Sequence, residues 1–392
     1  MPSTPSYNAG VNAGGASGAT LPIIVNTDIG SALINIGTQS GLFSGGTVIT
    51  APSIPGVDTY SVGMPVTFLS TSDGEGMLTL NTDTGRVSIP SNMLTGLSEI
   101  VGSGAEITIG MGDKEKLPDD VKGLIGDRPL IQLTLSIDGK KTDWSNPDAS
   151  ITMSIPYTPT SAELLNPESI VIWYIDGSGN VVSIPSGHYD SETGMVTFGT
   201  THFSNYAVAY TKMSFNDVTA DAWYSKAVGF ISARGITSGT GNGNYSPEAK
   251  LTRGEFIVLM MRAYGIAPDE NPTDNFSDAG STYYSVYLAA AKQLGISAGV
   301  GNNMYAPDKE ITRQEMFTLL YNVLKVIEQL PKGDSGKTLH DFTDAGEINP
   351  WAKEAITLLV ETGIVSGNGG KISPAGTTTR AEMAQVLYNL MT

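Results

Sequence analysis

The chain has 392 residues, a formal net charge of -17 at pH 7 and no cysteine. The missing cysteines exclude disulfide bonds and thiolate-held metals, and the negative charge argues against a nucleic acid partner, whose phosphates the surface would repel. No apolar run approaches the roughly 18 residues that a membrane span needs, so the sequence predicts no transmembrane segment.

Residues 1–21 form the first segment and consist mostly of Gly, Ala, Ser, Asn and Pro. This segment lacks the basic and apolar regions of a signal peptide, and its composition predicts a flexible linker. We therefore expect the chain to be the carboxyl-terminal piece of a longer exported protein, whose signal peptide is not part of this sequence.

Residues 22–211 are predicted to form an all-β region. Short alternating or β-branched runs, such as residues 107–109 and 130–137, are separated by Asp-Gly, Ser-Gly and Thr-Gly turns. Many short strands with few helices between them favour an antiparallel sandwich. One or two subdomains are compatible with this pattern, and we predict a β-rich subdomain over 22–110 and a β-sandwich module over 111–211.

The last predicted strand of this region, residues 196–210, contains a His-Phe-Ser sequence. It resembles the self-cleavage site of GAIN and ZU5-type autoproteolytic domains. The resemblance implies that Ser204 is the nucleophile, that His202 is its base, and that Phe203 supplies the carbonyl that is attacked. Alternatively, the three residues have only a structural use on an edge or terminal strand, and both interpretations stay open here.

The last third of the chain contains a threefold repeat. The tetrad Thr-Arg-X-Glu occurs at residues 252–255, 312–315 and 379–382, each time before an apolar, helix-like run. A Phe-X-Asp begins 37 or 38 residues before each arginine, an aromatic residue follows that Asp by six or seven residues, and a Gly-Ile begins 17 or 18 residues before the arginine. Landmarks at fixed offsets indicate a structural unit of about 55 residues, repeated with linkers of unequal length.

Each unit is predicted to form a helix, a loop and a second helix. Apolar residues recur every three or four positions before the Gly-Ile, whose glycine ends the first helix, and the next segment is rich in Gly, Asn and Pro. The Thr and Glu of each tetrad have the spacing of a capping box, which starts the second helix. The arginine has no role in a cap, so it either faces outward to a carboxylate ligand or pairs with an Asp of its own unit.

In this order the landmarks resemble the S-layer homology (SLH) domain, in three copies over residues 213–266, 274–328 and 341–392. The resemblance implies an α-helical, three-pronged pseudo-trimer with a central three-helix bundle, whose grooves bind secondary cell wall polysaccharide, commonly through pyruvylated N-acetylmannosamine. It also assigns ligand binding to an acid, an aromatic residue, a loop glycine and an arginine of each copy: Asp217, Trp223, Gly239 and Arg253; Asp278, Tyr284, Gly299 and Arg313; Asp344, Trp351, Gly367 and Arg380.

Together these features predict an extracellular protein that is held non-covalently at the cell wall or S-layer, and a binding protein rather than a turnover enzyme. The histidines are scattered, and hydrolase and phosphate-binding motifs are missing from the sequence. Cell wall polysaccharide is the expected partner, lateral S-layer self-association is a further expectation, and no metal or cofactor is predicted. The alternatives are self-cleavage at Phe203-Ser204 and a role as the carboxyl-terminal anchor of a larger extracellular glycan-degrading enzyme.

Overall fold

A computed structural model describes residues 11–14, 20–37, 39–42, 46–71, 74 and 76–392. The chain divides into two compact units, the first ending at Thr211 and the second beginning at Lys212. The first unit is β-rich, and the second is helical and contains the three repeats. The predicted fold class, an all-β region followed by a helical repeat region, is therefore confirmed.

The β-rich unit is built from short strands and one short α-helix. Its elements are β1 (Val11–Gly14), β2 (Thr20–Leu21), β3 (Ile23–Asn26), β4 (Ser31–Asn35), β5 (Thr47–Thr50), β6 (Thr59–Pro65), β7 (Met77–Asn81), β8 (Arg86–Pro90), β9 (Gly104–Met111), α1 (Asp119–Ile125), β10 (Leu130–Ile137), β11 (Lys140–Thr142), β12 (Ile151–Pro156), β13 (Ile170–Ile175), β14 (Val181–Ile184), β15 (His188–Asp190), β16 (Met195–Thr200) and β17 (Asn205–Tyr210). Every second residue of β10 from Leu133 onward is buried, as expected for a strand with one face in a core.

These strands form two sheets that share one core. One sheet has the order β15-β16-β12-β8-β7-β5-β1-β2, and the other has the order β14-β13-β17-β10-β9-β6-β4-β3, with β11 paired to β10. Neighbours are antiparallel except for the parallel pairs β4–β6 and β5–β7. A single apolar cluster takes Ile151 and Phe198 from the first sheet and Ile107 and Leu133 from the second. The result is a largely antiparallel sandwich.

The expected break near residue 110 is not found in this sandwich. Strand β9 runs across that position and pairs with β6 on one side and with β10 on the other. Strand β8 pairs with β12 in the other sheet, so each sheet contains strands from both sides of residue 110. Residues 22–110 and 111–211 therefore share one core, because their strands complete each other's sheets.

The predicted linker at residues 1–21 also differs in part from the structure. Strands β1 and β2 fall within it, and β1 pairs with both β2 and β5. Residues 1–10 and 15–19 of the predicted linker lie outside the described residues.

The helical unit contains two α-helices in each repeat. They are α2 (Ser225–Ala233) and α3 (Arg253–Ala263) in the first repeat, α4 (Ser285–Gln293) and α5 (Arg313–Val326) in the second, and α6 (Lys353–Glu361) and α7 (Arg380–Met391) in the third. Thr252, Thr312 and Thr379 are the N-caps of the second helices, each with both hydrogen bonds of a capping box. The predicted starts of these helices are therefore confirmed.

The three repeats close into a ring. The Leu251 N–H donates to the Thr378 carbonyl (3.1 Å), the Thr378 N–H to the Ile311 carbonyl (3.1 Å), and the Ile311 N–H back to the Leu251 carbonyl (2.9 Å). The second helix of each repeat packs against the first helix of the following repeat: α3 against α4, α5 against α6, and α7 against α2. All three repeats contribute to one apolar core. Each repeat thus buries its apolar faces only with the help of its neighbours.

Candidate functional site

The three tetrad arginines connect neighbouring repeats. Each occupies the first position of its helix, and its Nε–H donates to a loop carbonyl of the next repeat around the ring. Arg253 donates to Tyr305 (2.9 Å), Arg313 to Ile372 (2.7 Å) and Arg380 to Tyr245 (2.8 Å). Arg253 and Arg380 are only 4% and 5% exposed, so for these two the expectation that the guanidinium group faces outward is wrong.

Each repeat's Asp holds the same loop from the other side. The Asp217 carboxylate accepts hydrogen bonds from the N–H groups of Tyr245 (2.8 Å) and Ser246 (2.7 Å). Asp278 and Asp344 make the equivalent pairs of bonds in the second and third repeats. Burial alone would raise the pKa of Asp217, but these N–H donors outweigh it and the pKa is lowered. In the part of the chain that the structure describes, no tetrad arginine forms an ion pair with the Asp of its own repeat, which was the alternative expectation.

The loop glycines shape the same loops. Gly239, Gly299 and Gly367 have φ values of +86°, +78° and +68°, which favour glycine. A Cβ atom on Gly299 would lie 2.8 Å from the ring of Phe276 and would also collide with the Met304 carbonyl. The equivalent contacts at Gly239 involve Phe215, and those at Gly367 involve Phe342. The glycines therefore allow the loop to fold over the Phe of the Phe-X-Asp landmark.

One aromatic ring of each repeat is largely exposed just before the first helix. Trp223 is 61% exposed and Trp351 is 54% exposed. The equivalent residue of the second repeat is Tyr283, at 58%, because Tyr284 caps α4 in the way that Tyr224 caps α2. The sequence analysis therefore placed the exposed ring of the second repeat one residue too late, at Tyr284 instead of Tyr283.

Tyr284 itself lies at a contact between the first two repeats. Its hydroxyl donates to the Asp308 carboxylate (2.9 Å), and its ring is 2.8 Å from where a Cβ atom of Gly254 would be. Tyr283 could have been found by counting back from the start of the helix, since the segment between the Asp and the helix is one residue shorter in the second repeat than in the first.

The tetrad glutamates are site residues that sequence reasoning assigned only to capping. In Glu315, Oε2 accepts the Thr312 N–H of the capping box (2.8 Å), and Oε1 lies 2.9 Å from Nη1 of Arg253. In Glu382, Oε2 caps Thr379 and Oε1 lies 3.2 Å from Nη1 of Arg313. Burial would raise the pKa of Glu315, but the Thr312 donors and the charge of Arg253 keep it lowered. Glu315 and Glu382 therefore each cap a helix and neutralise the arginine of the preceding repeat.

The His-Phe-Ser segment lies between β16 and β17 of the β-rich unit. The Ser204 hydroxyl donates to the Ile175 carbonyl (3.0 Å), and the Phe203 ring packs against Trp144 with centroids 4.7 Å apart. The His202 ring lies edge-on to Tyr174, and its buried Nε2 has no hydrogen-bond partner among the described residues. Burial lowers the pKa of His202, which keeps it neutral. Within the described residues Ser204 and His202 form no hydrogen bond, so self-cleavage at this position stays a prediction.

A closed ring of three helix–loop–helix units, joined by an arginine at each junction, defines the second unit as a tandem-repeat module. The profile of the S-layer homology domain matches residues 214–257, 275–317 and 341–384. The chain therefore contains three tandem S-layer homology domains, and these place it at the cell surface, in the cell wall.

Similar proteins include both S-layer proteins and enzymes. The chain is 31% identical to S-layer protein sap of Bacillus anthracis over 46% of its own length and 21% of that protein. It is 31% identical to an amylopullulanase of Thermoanaerobacterium thermosulfurigenes over 58% of its own length and 12% of that protein. It is 30% identical to exoglucanase XynX of Acetivibrio thermocellus over 46% of its own length and 16% of that protein. The match to the amylopullulanase covers 228 residues, more than residues 212–392 can supply, so it extends into the β-rich unit.

The chain covers about a fifth or less of the length of these relatives. Among the described residues, no helix is both long and apolar enough to cross a membrane.

Proposed function

We propose that the helical unit attaches the chain non-covalently to the cell wall by binding secondary cell wall polysaccharide between its repeats, with a pyruvylated sugar as the recognised group. The observation that carries this proposal is the presence of three S-layer homology domains closed into one ring. Closing the ring brings an arginine of one repeat to the loop of the next, so each ligand site belongs to two repeats.

The chemistry of these sites suits an acidic sugar. A pyruvate ketal presents a carboxylate, and a guanidinium group is the side chain that binds a carboxylate most specifically. A sugar ring also presents an apolar face, and the exposed rings of Trp223, Tyr283 and Trp351 are available to pack against it. The net charge of -17 opposes long-range attraction of an anionic polymer, so recognition must come from short-range contacts at the arginines and rings.

Co-sedimentation with wall sacculi tests the proposal. We expect the full chain to pellet with sacculi and to stay in solution when the secondary polysaccharide has first been removed with hydrofluoric acid. Equal pelleting with intact and extracted sacculi would reject the polysaccharide as the ligand. No pelleting with either preparation would reject wall attachment altogether.

A second candidate is favoured by the relatives that are named as enzymes. The match to the amylopullulanase is too long to lie within either unit alone, so it includes parts of both the helical and the β-rich unit. In this case the chain would be the anchor of a larger extracellular glycan-degrading enzyme. Sequencing the complete reading frame tests this candidate: a catalytic domain upstream would support it, and a frame with only structural domains would reject it.

A further inference from the structure

The three inter-repeat sites are built from equivalent residues but are not chemically equal. We name each site by the repeat that supplies the arginine and the repeat that supplies the loop: the 1–2 site contains Arg253, the 2–3 site contains Arg313, and the 3–1 site contains Arg380. The sites differ in what neutralises the guanidinium group.

In the first two sites, the arginine already forms an ion pair with a carboxylate of the chain itself. At the 1–2 site, Glu315 lies 2.9 Å from Arg253, and the two side chains are 15% and 5% exposed. At the 2–3 site, Glu382 lies 3.2 Å from Arg313, with side chains 33% and 15% exposed. A carboxylate ligand must displace an internal carboxylate at either site, and a buried pair resists this because each ion would lose its partner.

The arginine of the 3–1 site has no such partner. Within the described part of the chain, no carboxylate lies within ion-pairing distance of Arg380, although Glu255 occupies the tetrad position that Glu315 and Glu382 occupy in the other repeats. The Arg380 Nε–H donates to the Tyr245 carbonyl (2.8 Å), and its Nη2 donates to the Thr237 hydroxyl at the long distance of 3.3 Å. Its Nη1 makes no hydrogen bond to any described residue, and a guanidinium group has five donors to satisfy.

The acids near Arg380 are already engaged or lie further away. The charge of Arg380 reaches Asp217 and helps to lower its pKa, but both Asp217 oxygens accept backbone N–H groups. Oε2 of Glu255 accepts the Thr252 N–H. Arg380 is therefore a buried arginine, 5% exposed, that no carboxylate among the described residues pairs with.

Building on the proposed function, we infer that the 3–1 site is the one that binds the carboxylate of the wall polysaccharide, and that Glu315 and Glu382 close the other two sites. The ligand carboxylate takes the position at Arg380 that an internal glutamate takes at Arg253 and Arg313.

Titration calorimetry with the full chain and a pyruvate ketal of N-acetylmannosamine tests the inference, with the same sugar lacking the ketal as the control ligand. We expect one binding site per chain for the wild type. Arg380→Gln should weaken binding by about tenfold or more, because the charge-assisted contact between the guanidinium group and the ligand carboxylate is lost. Three equal sites in the wild type, or unchanged binding in R380Q, would overturn the inference.

Replacement of the tetrad glutamates provides a second readout that does not depend on how R380Q folds. A glutamine still fits the capping box but does not neutralise arginine, so Glu315→Gln and Glu382→Gln should each add one site. Glu255→Gln is the matched control, because its carboxylate blocks no arginine, and one site should remain. Stoichiometry that stays at one in E315Q would overturn the inference. Failure of the wild type to pellet with sacculi would instead count against the proposed function.

Discussion

The β-rich unit and the helical unit stabilise their cores in different ways. In the β-rich unit, apolar side chains from two sheets fill one core, and the sheets are held by backbone hydrogen bonds. In the helical unit, three arginines each join two repeats around an apolar core, and two of them, Arg253 and Arg380, are buried. An apolar core tolerates swaps of similar volume, whereas a buried ion needs its own partners. The helical unit should therefore be the more sensitive of the two to the loss of a single charge.

The largest effect is expected from removing a bridging arginine. Arg253→Gln should lower the free energy of unfolding of the helical unit by about 3–5 kcal/mol, because it leaves Glu315 partly buried with only the longer pair to the exposed Lys309 (3.6 Å). Chemical denaturation followed by far-UV circular dichroism measures this loss. The control is Arg262→Gln, which changes an exposed arginine in the last turn of α3. Equal losses in the two variants would contradict the bridging role.

In the β-rich unit, the matching experiment removes apolar volume. Leu133→Ala should lower the free energy of unfolding of this unit by about 2–5 kcal/mol, because Leu133 is 2% exposed in the shared core. Fluorescence of the buried Trp144 reports on this unit during denaturation. Leu165→Ala, at a residue 80% exposed, should change stability by about 0.5 kcal/mol or less. A large effect of L165A would mean that the core has been assigned to the wrong residues.

One buried carboxylate makes the stability of the β-rich unit depend on acid. Burial alone would raise the pKa of Glu163, but donors from Thr160, Tyr157 and Arg128 lower it from 4.5 to about 2. Because the folded-state pKa is depressed, its contribution to stability is present above pH 4.5 and is lost as the pH falls towards about 2. Glu163→Gln should remove this part of the acid sensitivity in denaturation curves recorded across that range. An unchanged pH profile would exclude the Glu163 network as its source.

A smaller change is expected from the loop glycines. Gly299→Ala should destabilise the helical unit by about 1–3 kcal/mol, because its φ is +78° and a Cβ atom would meet Phe276. Gly229→Ala is the matched change inside α2, where a Cβ atom would have nothing within 4 Å, and it should stabilise by about 0.5–1 kcal/mol. Thermal unfolding of the two variants should thus shift in opposite directions. Shifts of the same sign would show that the loop backbone is not the reason for a glycine at position 299.

The smallest expected effect is at Ser204. Its hydroxyl donates to the Ile175 carbonyl and not to His202, so we expect the purified chain to run as one band on denaturing electrophoresis. Ser204→Ala is the control for cleavage and should look identical. Two fragments that meet between Phe203 and Ser204 in the wild type, and a single band in S204A, would establish self-cleavage instead.

The helical unit was predictable from sequence where its chemistry is local. The capping boxes at Thr252, Thr312 and Thr379 fix the helix starts from four consecutive residues each. The partners of the arginines were not predictable, because a backbone carbonyl such as that of Tyr305 leaves no mark in the sequence and lies 52 residues away. The second role of the tetrad glutamates was hidden because capping already explained their spacing.

In the β-rich unit, the strands were predictable but their partners were not. The alternation of residues 130–137 indicates a strand with one buried face. It does not reveal that β8 pairs with β12 across about 65 positions of sequence, which is why the expected division at residue 110 failed. Parallel pairing of β4 with β6 likewise depends on contacts that no turn signal specifies.

Competitive release from sacculi tests the central claim of wall attachment most directly. Chain bound to sacculi is challenged with soluble secondary polysaccharide, either intact or after mild acid has removed its pyruvate ketals. We expect the intact polymer to release the chain and the acid-treated polymer to leave it bound. Equal release by both polymers, or release by neither, would contradict recognition of the acidic sugar by this unit.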